Sequence, residues 1–283
     1  MKLTKFIASA AFAVTLPLAA FADVAANKAT AVAAMTETFV GLDASTVETY
    51  FAAPYIQHNP IGGSGLPALT GVLQYLKGKG ATLQLETARV FGEDDLVVMH
   101  NVWTGFGPKP LVVFDVFRFD DNGKIVEHWD NMTPVAAPNP SGRTQTDGAT
   151  AVVDLDKTDA NKALVTEFLT RAMVNGEDLD FTKYINPETY IQHNSMVGDG
   201  LMTFGKFLHA LEEKGIHIKF DKVHQVIAEG NFVLSMSEGS FGDQHDAFFD
   251  LFRVEDGLIV EHWDVIAPMP AGDKLPENYP GKF

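Results

Sequence analysis

The spacing of apolar residues changes from a helical period to a period of two, and this change occurs twice along the chain. Residues 158–174 place apolar side chains on one helical face, and residues 26–40 show the corresponding pattern. A further helix is predicted at residues 200–215, with leucine and phenylalanine at helical spacing and a terminal glycine. Segments in which apolar and polar residues alternate follow each set of predicted helices. The pattern therefore predicts an α+β fold, with helices first and an antiparallel sheet after them.

Three strands are predicted in the first half of the chain. They are DLVVMHNVW at residues 95–103, PLVVFDVFRF at 110–119 and KIVEHWDNM at 124–132. Valine, isoleucine and aromatic residues dominate them, as is typical of strands that are buried on one face. The last two are separated by an Asn-Gly pair, which favours a tight hairpin turn.

Two sequence strings are repeated in the same order. YIQHN occurs at residues 55–59 and 190–194, and IVEHWD occurs at 125–130 and 259–264. The offset is 135 residues for the first string and 134 for the second, because DDNGK in the first turn becomes EDGL in the second. A hairpin tolerates the deletion of one residue best at its turn. The sequence therefore predicts a tandem duplication of one domain.

The predicted organisation has five parts. The segment rich in proline, glycine, serine and threonine between the copies lacks an apolar period, which is typical of a linker. The expected bounds are a signal peptide at 1–22, a first domain at 23–136, a linker at 137–157, a second domain at 158–270 and a tail at 271–283.

The first 22 residues have the pattern of a secretory signal peptide. Lys2 and Lys5 precede a short apolar run, and Ala20-Phe21-Ala22 matches a small-residue cleavage site. A membrane anchor is the alternative, but the apolar run is short for a span. We therefore expect a periplasmic or secreted protein.

Composition excludes several function classes. The net charge of −16 at pH 7 disfavours nucleic acid or an anionic membrane as a partner. The chain has no cysteine, which excludes disulfides, thiol catalysis and cysteine metal sites. Dinucleotide, P-loop and nucleophile-elbow motifs are absent from the sequence. The sequence therefore carries no recognised motif for a nucleotide cofactor. We expect a small-molecule ligand or substrate.

One aspartate interrupts an apolar strand face in each copy. Asp115 alternates with Val113 and Phe117, and Asp250 holds the corresponding place in the second copy. An aspartate is rarely buried without a partner. One interpretation is a carboxylate satisfied within the core, and the other is a general acid or base that lines a pocket.

The Glu-His-Trp-Asp string supplies a histidine and a second carboxylate. Alternation places His128 and Asp130 on one face, and antiparallel pairing could bring either of them across from Asp115. His262 and Asp264 are their counterparts. A histidine beside a carboxylate suits acid–base catalysis, and equally a hydrogen-bonded pair that stabilises the sheet. The tryptophan between them is expected in the core.

The YIQHN strings add polar groups before a glycine-rich loop. As a pocket rim they would orient a polar substrate group, and as a capping loop they would be structural. These candidates are Tyr55, Gln57, His58, Asn59, Tyr190, Gln192, His193 and Asn194.

His100 is a further candidate in the first copy. It lies on the alternating face of Leu96, Val98 and Val102, and its counterpart is Met236. Arg118 and Arg253 are interpreted as structural ion-pair partners. No closely spaced histidine motif is present, so no metal site is predicted.

The strings YIQHNP, VVFDVFRFDDNGK and IVEHWD resemble the SnoaL-like polyketide cyclase proteins of the nuclear transport factor 2-like superfamily. The nearest group is the predicted SnoaL-like aldol-condensation enzymes. The resemblance implies two tandem cone-shaped domains, each a curved antiparallel sheet packed on helices around an apolar cavity. It also implies proton transfer without a cofactor by His58, His100, Asp115 and His128 in copy one, and by His193, Asp250 and His262 in copy two.

Two functions are compatible with these features. One is a cofactor-independent cyclase, lyase or isomerase, in which Asp115 removes a proton next to a carbonyl group. The other is a binding protein for a small hydrophobic ligand. Domains of this kind often pair sheet to sheet, so the two copies are expected to form an intramolecular pseudo-dimer.

Overall fold

The computed structural model describes residues 23–177, 180–272 and 275–283. The predicted signal peptide lies outside the described residues. The predicted domain bounds stay predictions, and the two similar halves are called the first and second module below.

The first module begins with helices and ends with a sheet. Helix α1 (Val24–Ala34) is capped by Asp23, whose carboxylate accepts the amide hydrogens of Ala25 and Ala26, and it continues as a π-helical stretch, Met35–Val40. The remaining elements are a 3₁₀ turn (Ala44–Thr46), α2 (Val47–Tyr50), β1 (Phe51–Gln57), α3 (Leu66–Gly78), β2 (Gln84–Glu93), β3 (Leu96–Thr104), β4 (Leu111–Phe119) and β5 (Ile125–Pro134).

The second module repeats this order. After a 3₁₀ turn (Leu155–Lys157), helix α4 (Thr158–Glu167) again continues as a π-helical stretch, Phe168–Val174. A 3₁₀ turn (Phe181–Lys183), β6 (Ile191–Gln192), α5 (Leu201–Glu212), β7 (Ile218–Glu229), β8 (Phe232–Phe241), β9 (Gln244–Glu255) and β10 (Leu258–Pro268) follow.

Each module has a five-stranded sheet of the same topology. The strand orders are β1-β5-β4-β3-β2 and β6-β10-β9-β8-β7. The edge strands β1 and β6 run parallel to their neighbours, and the other pairs are antiparallel. This is the α+β architecture that the sequence predicted. Register places Asp115 opposite Asp130 and Asp250 opposite Asp264, so each sheet centre carries a pair of facing carboxylates.

The two faces of each sheet belong to different cores. One face packs on the helices of its own module. The opposite faces form a single hydrophobic cluster that contains residues of both sheets, among them Phe114, Trp129, Phe232 and Trp263. Asn131 Nδ2 donates hydrogen bonds across this cluster to two backbone oxygens of the second sheet. The sheets therefore lie against each other, with both tryptophans buried as expected.

Secondary structure agrees with the sequence patterns where those patterns were strong. The helices and the three predicted strands of the first module are present. The sequence did not predict β1, β2, β6 and β7, which complete the sheets. Tyr55 and Gln57 belong to the edge strand β1, and not to a loop before the glycine-rich segment.

Candidate active site

A cavity of about 700 Å³ lies between the first sheet and its helices. Its walls are mainly apolar and come from the π-helical stretch, α3 and the inner face of β3, β4 and β5. Exposed Ile61 and Tyr75 are part of its lining, so the cavity reaches the surface. Its described lining contains neither lysine nor arginine. The volume is that of a site for an ordinary small organic molecule.

Asp115, His128 and Asp130 lie together in this cavity. His128 Nε2 is 3.1 Å from Asp115 Oδ1, and both side chains are nearly inaccessible to bulk solvent. The imidazole ring stacks on Phe117 with the ring centroids 4.7 Å apart. The predicted cross-strand contact is therefore confirmed, and it places a histidine–carboxylate pair on an apolar wall.

Asp115 receives two further donors from β3. Asn101 Nδ2 donates to Asp115 Oδ2 at 2.7 Å, and Trp103 Nε1 approaches the same oxygen at 3.4 Å. Alternation places these two side chains on the cavity face, because Asn101 pairs with Val113 and Trp103 with Leu111. Together with His128 they fix the orientation of the carboxylate.

Polar residues of β1 and of the segment after it line the cavity near the second carboxylate. Asn59 Nδ2 donates to Asp130 Oδ2 at 2.7 Å. Gln57 Nε2 donates to the Tyr55 hydroxyl at 3.0 Å, and all three side chains line the cavity. Burial raises the pKa of Tyr55 far above its usual range, and the charges of Asp130 and Asp115 add to this effect. Tyr55 is therefore a neutral phenol that can donate its proton in a hydrogen bond.

The corresponding cavity of the second module is almost filled. Its volume is about 70 Å³. Three smaller residues that line the first cavity are replaced by phenylalanine at the matching positions that line the second, and these replacements are Leu69 by Phe204, Val72 by Phe207 and Val113 by Phe248. The two modules therefore share a fold, but of these two matching cavities the first alone is large enough for a drug-sized ligand.

The acid–base pair persists in the second module with fewer donors. His262 Nε2 lies 3.1 Å from Asp250 Oδ1. By strand register Ser237 replaces Asn101 and Gly239 replaces Trp103. Neither supplies a bond to the carboxylate, and buried Asp250 Oδ2 has no hydrogen-bond partner.

The pKa values of His262 and Asp264 in this second cluster are both raised. Burial lowers the pKa of His262, but the hydrogen bond to Asp250 and the charges of Asp264 and Asp250 raise it more, so the net shift is upward. His262 Nδ1 also lies 2.9 Å from Gln192 Oε1, which accepts the backbone amides of His193 and Asn194. The ring therefore favours its doubly protonated form. Burial raises the pKa of Asp264, although Asn194 donates to it at 2.6 Å.

Both clusters contain atoms that could ligate a metal. In each module one atom from each of two aspartates and one histidine lies within 4.8 Å of the others. The spacing of the histidines in the sequence does not indicate this grouping, because the three residues of each cluster come from two different strands. In the first module His128 Nε2 faces Asp115, and the second oxygen of Asp115 already accepts Asn101. Both oxygens of Asp115 thus have partners within the protein, which matches a hydrogen-bonded acid–base pair.

His58 and His193 do not lie in the cavities, which corrects the expectation that they act there. The His58 ring stacks on Trp129, and His193 stacks on Trp263, on the opposite side of each sheet. Their Nε2 atoms lie 2.9 Å from Glu127 and Glu261, respectively. The alternation of the edge strand places these rings behind the sheet, where they contact the other module.

Each of these histidines holds a segment that arrives from the other module. His58 Nδ1 lies 2.7 Å from the backbone oxygen of Gly281, within residues 275–283, here called the tail strap. His193 Nδ1 lies 2.8 Å from the backbone oxygen of Thr144 and 2.7 Å from Asp147, within residues 137–149, here called the linker strap. The two straps are reciprocal: each leaves one module and lies on the YIQHN segment of the other.

His100 also lies outside the first cavity, contrary to the expectation that it takes part in proton transfer there. It is fully buried in the contact between the sheets, stacks on Phe114 at 4.2 Å and does not line the first cavity. Burial lowers its pKa well below the usual range, and the nearby charges of Arg89 and His193 lower it further. It is a neutral core residue, because even positions of β3 face away from Asp115.

Three contributors to these sites were missed from the sequence. Asn101 and Trp103 follow the cavity period of β3, a signal that becomes readable only when the register with β4 is known. Buried Arg89 donates to three backbone oxygens of the linker strap, and its guanidinium lies 4.0 Å from the Trp263 ring. Burial lowers the pKa of Arg89 to about 10.

Arg118 and Arg253 form ion pairs with Glu127 and Glu261, respectively, as predicted.

Comparison with known proteins finds a similarity in the first module. Residues 32–128 match the family model described as a SnoaL-like domain. The first module is therefore similar to SnoaL-like domains over these residues. The match includes β1 to β4 and His128 of β5, and therefore most of the polar cluster of the first cavity. No curated protein matches the sequence.

Several solved structures are similar to part of the chain. TsrD from Streptomyces laurentii is 18% identical over 39% of this chain and 90% of its own, with a TM-score of 0.34. An LEH-like epoxide hydrolase from M. tuberculosis is 18% identical over 39% and 84%, with a TM-score of 0.33. A protein with a cystatin-like fold from Xanthomonas campestris is 23% identical over 38% and 90%, with a TM-score of 0.32.

Proposed function

We propose that the first module is a cofactor-independent acid–base enzyme that acts on a small apolar carbonyl compound. The observation that carries this proposal is the Asp115–His128 pair, 3.1 Å apart on the wall of a cavity of about 700 Å³. An apolar surrounding strengthens the interaction between a charged base and a substrate proton. The two carboxylates and the lack of lysine or arginine in the lining favour an uncharged substrate over an anion.

The residues of the cavity support a proton-transfer mechanism. Asp115 takes the proton from the carbon next to the carbonyl group, and the electron pair of that C–H bond moves onto the carbonyl oxygen. The neutral Tyr55 hydroxyl donates a hydrogen bond to the resulting enolate oxygen. His128 orients Asp115 and shares the proton with it before its return. If a carbon–carbon double bond is conjugated with the enolate, return of the proton to its far carbon gives an isomerisation. If the enolate carbon attacks a second carbonyl group, a C–C bond forms, the electron pair of that carbonyl moves onto its oxygen, and the resulting alkoxide takes the proton held by Asp115; this is an aldol-type cyclisation.

Deuterium exchange into an apolar ketone tests this proposal without knowledge of the natural substrate. The protein is incubated with 2-tetralone in D₂O, and loss of the α-proton signal is followed by NMR. Because positioned acid–base groups contribute about 10²–10⁴-fold, Asp115→Asn is expected to slow the catalysed exchange by at least about a hundredfold. Asp250→Asn is the matched control and should leave the rate unchanged, since the second cavity is too small for the ketone.

A binding protein is the alternative, and the same cavity supports it. Trp103 lines the cavity, so its fluorescence reports occupancy independently of turnover. A ketone that changes this fluorescence but exchanges no faster than in buffer favours a ligand-binding protein. An Asp115→Asn variant that exchanges as fast as the wild type would contradict the proposed enzyme.

We further propose that the modules arose by duplication and form an intramolecular pseudo-dimer in an exported protein. The repeated strings, the equal strand orders and the shared core between the sheets support the first two statements. The pattern of residues 1–22 supports export. Among the described residues, no helix is both long and apolar enough to span a bilayer. The mass of the protein isolated from its native cells tests cleavage after Ala22.

A further inference from the structure

The tail strap contacts both walls of the first cavity from outside. Asn278 Nδ2 donates a 2.9 Å hydrogen bond to the backbone oxygen of Ser64. The neighbouring Gly62 and Gly63 line the cavity, and an added Cβ at Gly63 would lie 3.4 Å from Asn278. One end of the strap is therefore held against the glycine-rich loop that forms the rim.

The other end of the strap contacts the strand that carries the acid–base residues. Lys282 is 8% exposed, and its ammonium group donates to the backbone oxygen of Asp130 at 2.5 Å. Gly281 accepts from His58 Nδ1, and the His58 backbone amide in turn donates to the backbone oxygen of His128 at 2.9 Å. The strap is thus linked to the backbone of His128 through one residue and to that of Asp130 directly.

The second module anchors the strap. Lys282 lies over the Phe249 ring at 5.7 Å, and Phe283 stacks on His224 with the ring centroids 4.1 Å apart. Both partners belong to the second sheet. A movement of the second module relative to the first would therefore pull on β5 of the first module.

We propose that Lys282 of the tail strap is a positioning residue for His128 and Asp130 of the first module. The second module, whose own cavity is nearly filled, thereby supplies a part that the first module's site needs. The inference rests on the proposed function of that site. Lys282 acts by holding the β5 backbone at Asp130 and by placing a positive charge near the buried Asp130 carboxylate. Burial lowers the pKa of this ammonium group, and the Asp130 charge opposes that effect.

The linker strap provides a matched control. Arg143 is a cation of that strap and pairs with Asp199 of the second module at 2.9 Å. Arg143→Met removes a strap cation from the second module and leaves the tail strap intact. Lys282→Met and Lys282→Gln remove the strap cation from the first module, and Lys282→Arg preserves the charge.

The test measures kcat and KM for 2-tetralone exchange and their pH dependence in these four variants. Loss of Lys282 should lower kcat by at least tenfold and change KM less than threefold, since the apolar walls remain in place. The pH–rate profile should move to higher pH, because removing a nearby positive charge favours protonated groups. Lys282→Arg should restore most of kcat, and Arg143→Met should match the wild type. Circular dichroism verifies that each variant is folded.

A second measurement separates this inference from the proposed function. The ring ¹H–¹⁵N NMR signals of His128, assigned with His128→Gln, report its surroundings without a substrate. If the wild type exchanges no ketone, a change of these signals in Lys282→Met but not in Arg143→Met still supports the positioning role. Folded Lys282→Met and Lys282→Gln variants with wild-type His128 signals and wild-type kcat would overturn it.

Discussion

Asn101 donates a 2.7 Å hydrogen bond to Asp115, whereas Ser237, at the matching place in the second sheet, makes no such bond to Asp250. Both aspartates are buried at the centre of their sheets and face a histidine at the same distance. Only Asp115 has its second oxygen satisfied, by Asn101 with Trp103 close by. The modules have therefore diverged in the contacts that support the carboxylate as well as in cavity volume.

Replacing Asn101 with serine should transfer this defect to the first module. Asn101→Ser leaves a buried carboxylate oxygen without its main donor, which costs about 1–3 kcal/mol of unfolding free energy. Urea denaturation followed by circular dichroism measures the change. The control Asn122→Ser lies in an exposed turn and should change stability by less than about 0.5 kcal/mol. Equal losses in both variants would mean that the bond to Asp115 contributes nothing.

The phenylalanine replacements should account for the difference in cavity volume. Val113→Phe introduces into the first cavity the residue found at Phe248, and it should weaken ketone binding about tenfold or more because overpacking costs about 1–3 kcal/mol. Trp103 fluorescence measures the affinity. An unchanged affinity would show that the ligand does not occupy this part of the cavity.

The reverse substitution tests the second module separately. Phe248→Val should enlarge a packed cavity and lower the unfolding free energy by about 2 kcal/mol or more, because the lost contacts are not replaced. Ketone affinity in the first cavity should stay at the wild-type value. A thermal unfolding scan and the fluorescence titration give the two results, and a stability equal to wild type would mean that the site collapses around the smaller residue.

His100 can be replaced without loss of proton transfer if it is a core residue. His100→Met copies Met236 and should alter the exchange rate less than about threefold, which is under 1 kcal/mol of the barrier. His128→Gln is the comparison and should lower the rate by about a hundredfold. A decrease of the exchange rate by a similar factor in both variants would show that His100 takes part in proton transfer.

The second module should lose stability as pH rises above 6.5. The pKa of His262 is raised in the folded state, so its protonated form is favoured there, and the unfolded chain releases the proton first. This contribution is present below pH 6.5 and is lost as pH rises through the folded-state value. Asp250→Asn removes the main cause of the raised pKa and should flatten the decline.

Denaturation in urea at pH 6.0 and pH 8.5 measures this difference. His209→Gln is the control, because its side chain is exposed on α5 and pairs only loosely with Glu213 at 3.7 Å. It should keep the wild-type decline. A decline of the same size in Asp250→Asn would show that another group causes it.

The sequence by itself determined the repeated strings and the order of elements, and it indicated that His128 or Asp130 could lie across from Asp115. Local periodicity fixes which side chains share a strand face, and a tight turn fixes which strands are neighbours. The contact between the strands of Asp115 and His128 could therefore be expected from residues close together in the sequence. The weaker alternation of β2 and β7, and the short edge strands β1 and β6, gave no comparable signal.

Tertiary structure alone decided which polar residues belong to the cavity. His58, His100 and His193 are as polar as His128, but they lie on the sheet faces that meet the other module. The volume of each cavity and the contact between Lys282 and Asp130, 152 positions apart, depend on packing between distant segments. Periodicity assigns a side chain to one of two faces, but what covers that face is set by the free energy of burying it against the rest of the chain.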